Sequence, residues 1–264
     1  MIMNWLAHEG WMVVNWWLIA TLAGVAALPL CLRLLSALPD KGYILARAAG
    51  LLLTGFTFWL LSTVGLLTNE AGSVALSWLI VLGIGLVVFA RSETVFDWRD
   101  WWRDNRAGII TAELVFALSF LVWAIVRAHQ NGINGTEKPM DLAFMSAIAR
   151  SMTFPPNDPW LSGYSISYYY FGYVIAATFM KLSGVASTVA YNLWTAMLFG
   201  LTSLTTFGVV YNLVKSRFAH PMPTTEDEET AESRSVTAAL KMKEGRSGTI
   251  DAILVGLLGV LLMV

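Results

Sequence analysis

The sequence predicts an all-α protein, a polytopic transmembrane helix bundle whose outer loop bears an amphipathic helix at the membrane surface. Three observations predict it. Of 264 residues, 56% are hydrophobic and only 13% charged, with a mean hydropathy of +0.61, whereas a soluble domain carries about 25% charged residues. The apolar residues fall into runs of membrane-spanning length. Several of the twelve tryptophans (Trp5, Trp11, Trp98, Trp101, Trp102 and Trp160) close such runs, where an amphipathic ring suits the headgroup layer. A formal net charge of −1 gives no basis for a nucleic-acid partner. The single cysteine, Cys31, excludes an intrachain disulfide. Residues 1–10 lack Lys and Arg, and the apolar run after them is longer than a signal-peptide core.

A helix crossing about 30 Å of hydrocarbon needs roughly 20 residues. Six runs qualify: 11–38, 44–68, 71–91, 109–128, 164–184 and 186–214. A seventh starts near Thr249, and the roughly 15 residues up to Val264 would rise only about 22 Å, as if a longer protein were cut within a helix. Lys and Arg set the orientation. Arg33, Lys41 and Arg47 bracket the first connection, Asn69–Gly72 has none, and the third holds Arg91, Arg99, Arg103 and Arg106. This places the first and third connections in the cytoplasm, and the N-terminus and loop 129–163 outside a cell membrane. Six crossings would then export 215–248 despite Lys215, Arg217, Arg234, Lys241, Lys243 and Arg246. A re-entrant or split run after residue 163 would remove that conflict. The expected organisation is three membrane helices over 1–108, a core over 109–214, a polar linker over 215–248 and the start of a further span over 249–264.

Loop 129–163 has local structure written into it. Asn-Gly at 131–132 and 134–135 marks turns. Leu142, Met145, Ile148, Ala149 and Met152 recur at helical spacing, predicting an amphipathic surface helix over 141–152 with Asp141 as N-cap or first-turn residue. Pro155, Pro156 and Pro159 stiffen the return to the bilayer. Its carboxylates Glu137, Asp141 and Asp158 suit a general base or the ligands of a divalent cation such as Mg or Mn. Their plain alternatives are a helix cap, a solvated charge and an Asx turn. Lys138 and Arg150 suit either snorkelling or a clamp on a lipid-linked phosphate. Trp160, Tyr168, Tyr169 and Tyr170 suit an aromatic belt or substrate contact. On a helix, three consecutive tyrosines would point at least one hydroxyl inward. Glu113 lies one turn inside the fourth run, where a carboxylate is a functional candidate. Asn15, Asn192 and Asn212 suit interhelical hydrogen bonds.

The strings EKPMD (137–141), FPPNDPW (154–160), SGYSISYYYFGYV (162–174) and VAYNL (189–193) resemble a family of large, uncharacterised bacterial and archaeal membrane proteins named for its YYY motif. That family in turn resembles the GT-C glycosyltransferases. The resemblance implies a GT-C-like fold and transfer of a hexose or pentose from a polyprenyl-phosphate donor to an extracytoplasmic acceptor. Glu137 or Asp141 would be the base, Asp158 would position substrate or metal, and the rest of the protein would lie C-terminal. Two departures stand beside it: three runs precede the loop, and the adjacent acidic pair of GT-C loops is absent. A non-catalytic transporter, or a membrane assembly protein, is the alternative.

Overall fold

The computed structural model describes residues 2–92, 96–135, 137–219 and 248–263. Among them the structure is all-helical, with a single isolated antiparallel bridge between Asn157 and Ser165. The helices are α1 (Ile2–Leu34), α2 (Ala46–Thr63), α3 (Ala71–Ala90), α4 (Trp98–His129), α5 (Lys138–Arg150), α6 (Phe171–Ser183) and α7 (Ser187–Ala219), followed by α8 (Gly248–Leu261). Four stretches are long and apolar enough to cross a membrane: His8–Leu34, Ala71–Ala90, Trp98–His129 and Ser187–Phe218. The 18 residues of α2 rise about 27 Å, and Arg47 in its first turn lowers its apolar character. Most of the predicted polar linker, residues 220–247, lies outside the described residues.

Close backbone approach fixes the helix pairs. A Cβ on Gly50 of α2 would stand 2.1 Å from the Ala23 carbonyl oxygen of α1, so only glycine admits that crossing. Helix α4 begins on Asp97, whose carboxylate accepts from the backbone N–H groups of Arg99 (2.9 Å) and Asp100 (3.1 Å), a side-chain N-cap. It runs antiparallel to α7: Lys215 lies against Asn105, Tyr211 against Gly108, Gly200 against Phe116 and Phe120, and Asn192 against Arg127. Trp16, Phe116, Phe120, Phe179, Phe207 and Tyr211 fill the core between these helices, α1 and α6. Leu76, Leu79, Ile84, Leu86 and Val87 of α3 face outward, exposed.

One end of the bundle gathers the α1–α2 connection, the start of α4 and the end of α7. Asp40, wholly buried there, accepts from the N–H groups of Gly42 (2.8 Å) and Ile44 (2.9 Å). Its own N–H donates to Asn212 (3.2 Å), and Trp101 Nε1 donates to its carbonyl (3.3 Å). Burial raises the Asp40 pKa above the usual carboxylate range, against the lowering effect of these hydrogen bonds. Arg33, Lys41, Arg91, Arg99, Arg103, Arg106, Lys215 and Arg217 belong to this basic end.

The predicted span 164–184 is not one. Residues 151–170 are largely non-helical, and the 13 residues of α6 rise only about 20 Å, short of the hydrocarbon thickness. Helix α6 also starts and finishes at the same end of the bundle, opposite the basic one. Trp59 Nε1 donates to the Tyr170 hydroxyl at its start (3.1 Å). Lys181 near its finish lies within electrostatic reach of Glu70, in the α2–α3 connection, and Trp16 Nε1 donates to Ser183 (3.1 Å). The apolar run signalled burial, and burial in protein reads like burial in lipid. With α6 starting and finishing at one end of the bundle, α7 is the one described helix after residue 137 that is long and apolar enough to cross a membrane, and it carries Lys215 and Arg217 to the basic end. Cysteines introduced at Asn134 and at Ala186, in the α6–α7 turn, should therefore label from the same side of sealed vesicles, and one at Arg217 from the other. Labelling of positions 134 and 186 from opposite sides would disprove re-entry.

Candidate functional site

Helix α5 carries the predicted carboxylates. It begins three residues earlier than its apolar spacing predicts, with Pro139 in the first turn and Glu137 at the N-cap position without a side-chain cap bond. Proline suits that first turn because its missing N–H would be unpaired there anyway. Asp141 is thus a first-turn residue rather than the cap. The buried face is Phe144, Met145, Ala147 and Ile148, while Met152 lies beyond the helix, exposed. This face packs on protein: α6, Phe58 of α2, Val74 of α3, and Phe154 and Ile166 of the segment that follows. An amphipathic pattern does not distinguish lipid from a neighbouring helix, and here the apolar face of α5 lies against protein.

Asp141, half-buried, points into the protein. Its Oδ1 accepts from the Tyr173 hydroxyl of α6 at 2.5 Å. Glu137, one turn earlier and exposed, acts with Asp141 on Tyr168. The Tyr168 hydroxyl donates to that of Tyr169, and the two rings stack with centroids 3.8 Å apart. That bond, partial desolvation and the nearby negative charges push the Tyr168 pKa up to about 12. Phe144 is the hub of an aromatic group, with Trp160, Tyr168 and Tyr173 centroids at 5.4, 5.6 and 5.7 Å. The three tyrosines of the YYY string precede α6 rather than lying on it. Tyr168 and Tyr169 face outward, and Tyr170 accepts from Trp59.

The remaining predicted residues are dispersed. Asp158 Oδ1 accepts from the N–H groups of Trp160 and Leu161, both at 2.8 Å, which is the Asx-turn alternative. Arg150, exposed at the last residue of α5, and Lys138 at the first are about 18 Å apart along the axis, so they cannot clamp one phosphate. Nor do Glu137, Asp141 and Asp158 make a common ligand set for a cation. Two of the three are engaged as described, and among the described residues no group of three His, Cys, Asp or Glu side chains is placed to hold a metal ion. Glu113 is ion-paired with Arg47 (2.8 Å) and accepts from Tyr43 (3.2 Å), away from this site.

Three residues outside the expectations complete the arrangement. Asn69 closes α5: its Nδ2 donates to the carbonyls of Ile148 (2.6 Å) and Ser151 (2.7 Å), and its N–H donates to Met152 O (3.0 Å). Terminal helix carbonyls otherwise go unpaired. Asn69→Ala should destabilise α5 by about 1–3 kcal/mol, seen as faster proteolysis after Arg150. An unchanged cleavage rate would refute the capping role. Tyr191 of α7, buried, lies within electrostatic reach of both Asp141 and Arg127. Arg127, in the last turn of α4, donates from Nε (3.0 Å) and Nη2 (2.5 Å) to Asn192 Oδ1. The spacing of VAYNL offered Tyr191 and Asn192, whereas Arg127 had no signal beyond a lone charge at the end of an apolar run.

The model of an uncharacterized membrane protein family, DUF2298, matches residues 53–264, a range that includes α5, α6 and all four motifs. The chain belongs to the DUF2298 family. No curated protein and no solved structure matches it. In this DUF2298 chain the matched region starts within α2, so Asn69, Arg127, Asp141, Tyr173 and Tyr191 all fall inside it, whereas the α1 wall of the bundle does not.

Proposed function

We propose that this DUF2298 chain is the core of a membrane glycosyltransferase that moves a sugar from a polyprenyl-phosphate donor to an acceptor outside the cytoplasm. The observation that carries the reading is the pairing of Asp141 with Tyr173. A carboxylate at the loop end of the bundle is held by one oxygen, and the other meets no hydrogen-bond donor among the described residues, so it is available to accept a proton. The order of helix, acidic turn, short helix and Pro-rich return along 98–170 supports it, as does the resemblance of the four motifs to GT-C enzymes.

The weight of the eight Lys and Arg residues at the basic end supports a cytoplasmic location for that end. The loop end with Asp141 is then extracytoplasmic, and 215–219 lies inside. In the transfer step an acceptor hydroxyl oxygen attacks the anomeric carbon of the sugar. The hydroxyl proton passes to Asp141, and the bond from that carbon to the phosphate oxygen breaks, its electron pair leaving with polyprenyl phosphate. Phosphate is a leaving group that needs little protonation, so one base suffices on the chain's side. Glu137 and Lys138 flank the acceptor side, and Tyr168, Tyr169 and Trp160 offer ring faces to a sugar. The test is transfer of labelled sugar from polyprenyl phosphate in membranes holding the full-length protein, wild type against Asp141→Asn. A wild type inert with every donor would favour the transporter or assembly reading.

A further inference from the structure

A second polar cluster lies in a cleft between α1, α4 and α7, and Tyr191 is within electrostatic reach of both its Arg127 and Asp141. Its rim is polar, with Arg127, Asn131, Asn192 and Glu9, and its walls are Met12, Val13, Ala124, Ala128, Val189 and Leu193. Arg127 is half-buried and held in place by Asn192, with Nη2 also near the Gly132 carbonyl (3.5 Å). A guanidinium has five donors. Those on Nη1 meet no acceptor among the described residues, and Arg127 is in no ion pair there, although Glu9 shares the cleft. The first turns of α7 line the same cleft through Val189 and Asn192, and a helix N-terminus adds partial positive charge. An oriented cation with no carboxylate in ion-pair contact among the described residues, above apolar walls at the loop end of the bundle, fits an anion carried on a hydrocarbon chain.

We propose that Arg127 seats the phosphate of a polyprenyl-phosphate lipid, with the first isoprene units lying against the apolar walls between α1, α4 and α7. The ligand's identity rests on the transferase reading, whereas the anion site stands on the cleft itself. Arg127 would then hold the leaving phosphate while Asp141 takes the acceptor proton, with Tyr191 in reach of both.

The test is equilibrium binding of a short-chain polyprenyl monophosphate to the full-length protein in nanodiscs. Inorganic phosphate and the uncharged polyprenol are the comparison probes. Arg127→Gln should bind the lipid phosphate about tenfold or more weakly, the usual loss of a charge-assisted pair, with polyprenol binding unchanged. Arg99→Gln, at the basic end of α4, should bind as wild type does. If Arg127→Gln is not monodisperse, Arg127→Lys is read instead: it keeps the charge, loses the fork and should still weaken binding several-fold. Wild-type affinity in the folded Arg127 variant overturns the proposal, as does inorganic phosphate binding as tightly as the lipid. Arg127-dependent lipid-phosphate binding in a protein that transfers no sugar would retire the transferase reading and leave this site standing.

Discussion

Asp141→Asn is expected to lower sugar transfer by at least about 10²-fold, the usual loss with a general base. The amide is close in shape to the carboxylate and still accepts from the Tyr173 hydroxyl through its oxygen, so α5 and α6 keep their contact. It cannot take a proton, so the loss is one of chemistry rather than fold. Initial rates of label transfer at saturating donor measure it, with binding of the donor unchanged. Glu137→Gln, run in parallel, separates the two carboxylates, because Glu137 is exposed and has no side-chain cap bond to hold it. Tyr173→Phe should have a smaller effect, about tenfold or less, since it loosens the carboxylate without removing it. Asp141→Asn transferring at the wild-type rate would end the proposed mechanism.

The second large effect concerns stability. Arg47 is 6% exposed and its ion pair with Glu113 lies among α1, α2 and α4, where Arg47 Nη2 also donates to Thr21 (3.2 Å) and its guanidinium covers the Phe116 ring at 4.2 Å. Glu113→Ala leaves that cation buried without its counter-charge. A destabilisation of about 3 kcal/mol is expected, the lower part of the range for breaking buried pairs, because Glu113 itself is 33% exposed. The double change Arg47→Met with Glu113→Leu removes both charges at similar volume and should recover most of the loss. Thermal unfolding in detergent reads both. A double variant no more stable than Glu113→Ala would show that the pair is not the cause.

Helix existence was legible because the apolar runs are long. Placement of α5 against protein was not, since the spacing of Met145 and Ile148 states only that one face avoids water. The run 164–184 looked like a crossing because Val174–Phe179 is continuously buried, and nothing in a one-dimensional pattern separates a short buried helix from a span. The basic residues Lys215 and Arg217 were the sign in the sequence that one run after residue 163 does not cross, which agrees with the short α6. Asp141 could be chosen from its place after Pro139, but its partner Tyr173 could not, because the pairing depends on where α6 enters. Arg47 read as a charge flanking a loop and proved to be an inward one, matched to Glu113 across 66 positions of sequence. Asn69 and Arg127 were missed for the same reason: each acts on an element far along the chain.

The mount of α5 sets how finely Asp141 can be aimed. The helix is a short rod fastened at its far end by the Asn69 amide and at its near end by Tyr173. Asp141 lies about 12 Å along the axis from the Asn69 fastening. On an arm of that length, the tolerance of about 0.5 Å that a working site allows corresponds to a tilt of only about 2°. An asparagine with no part in the chemistry, two connections away, therefore governs the angular play of the carboxylate.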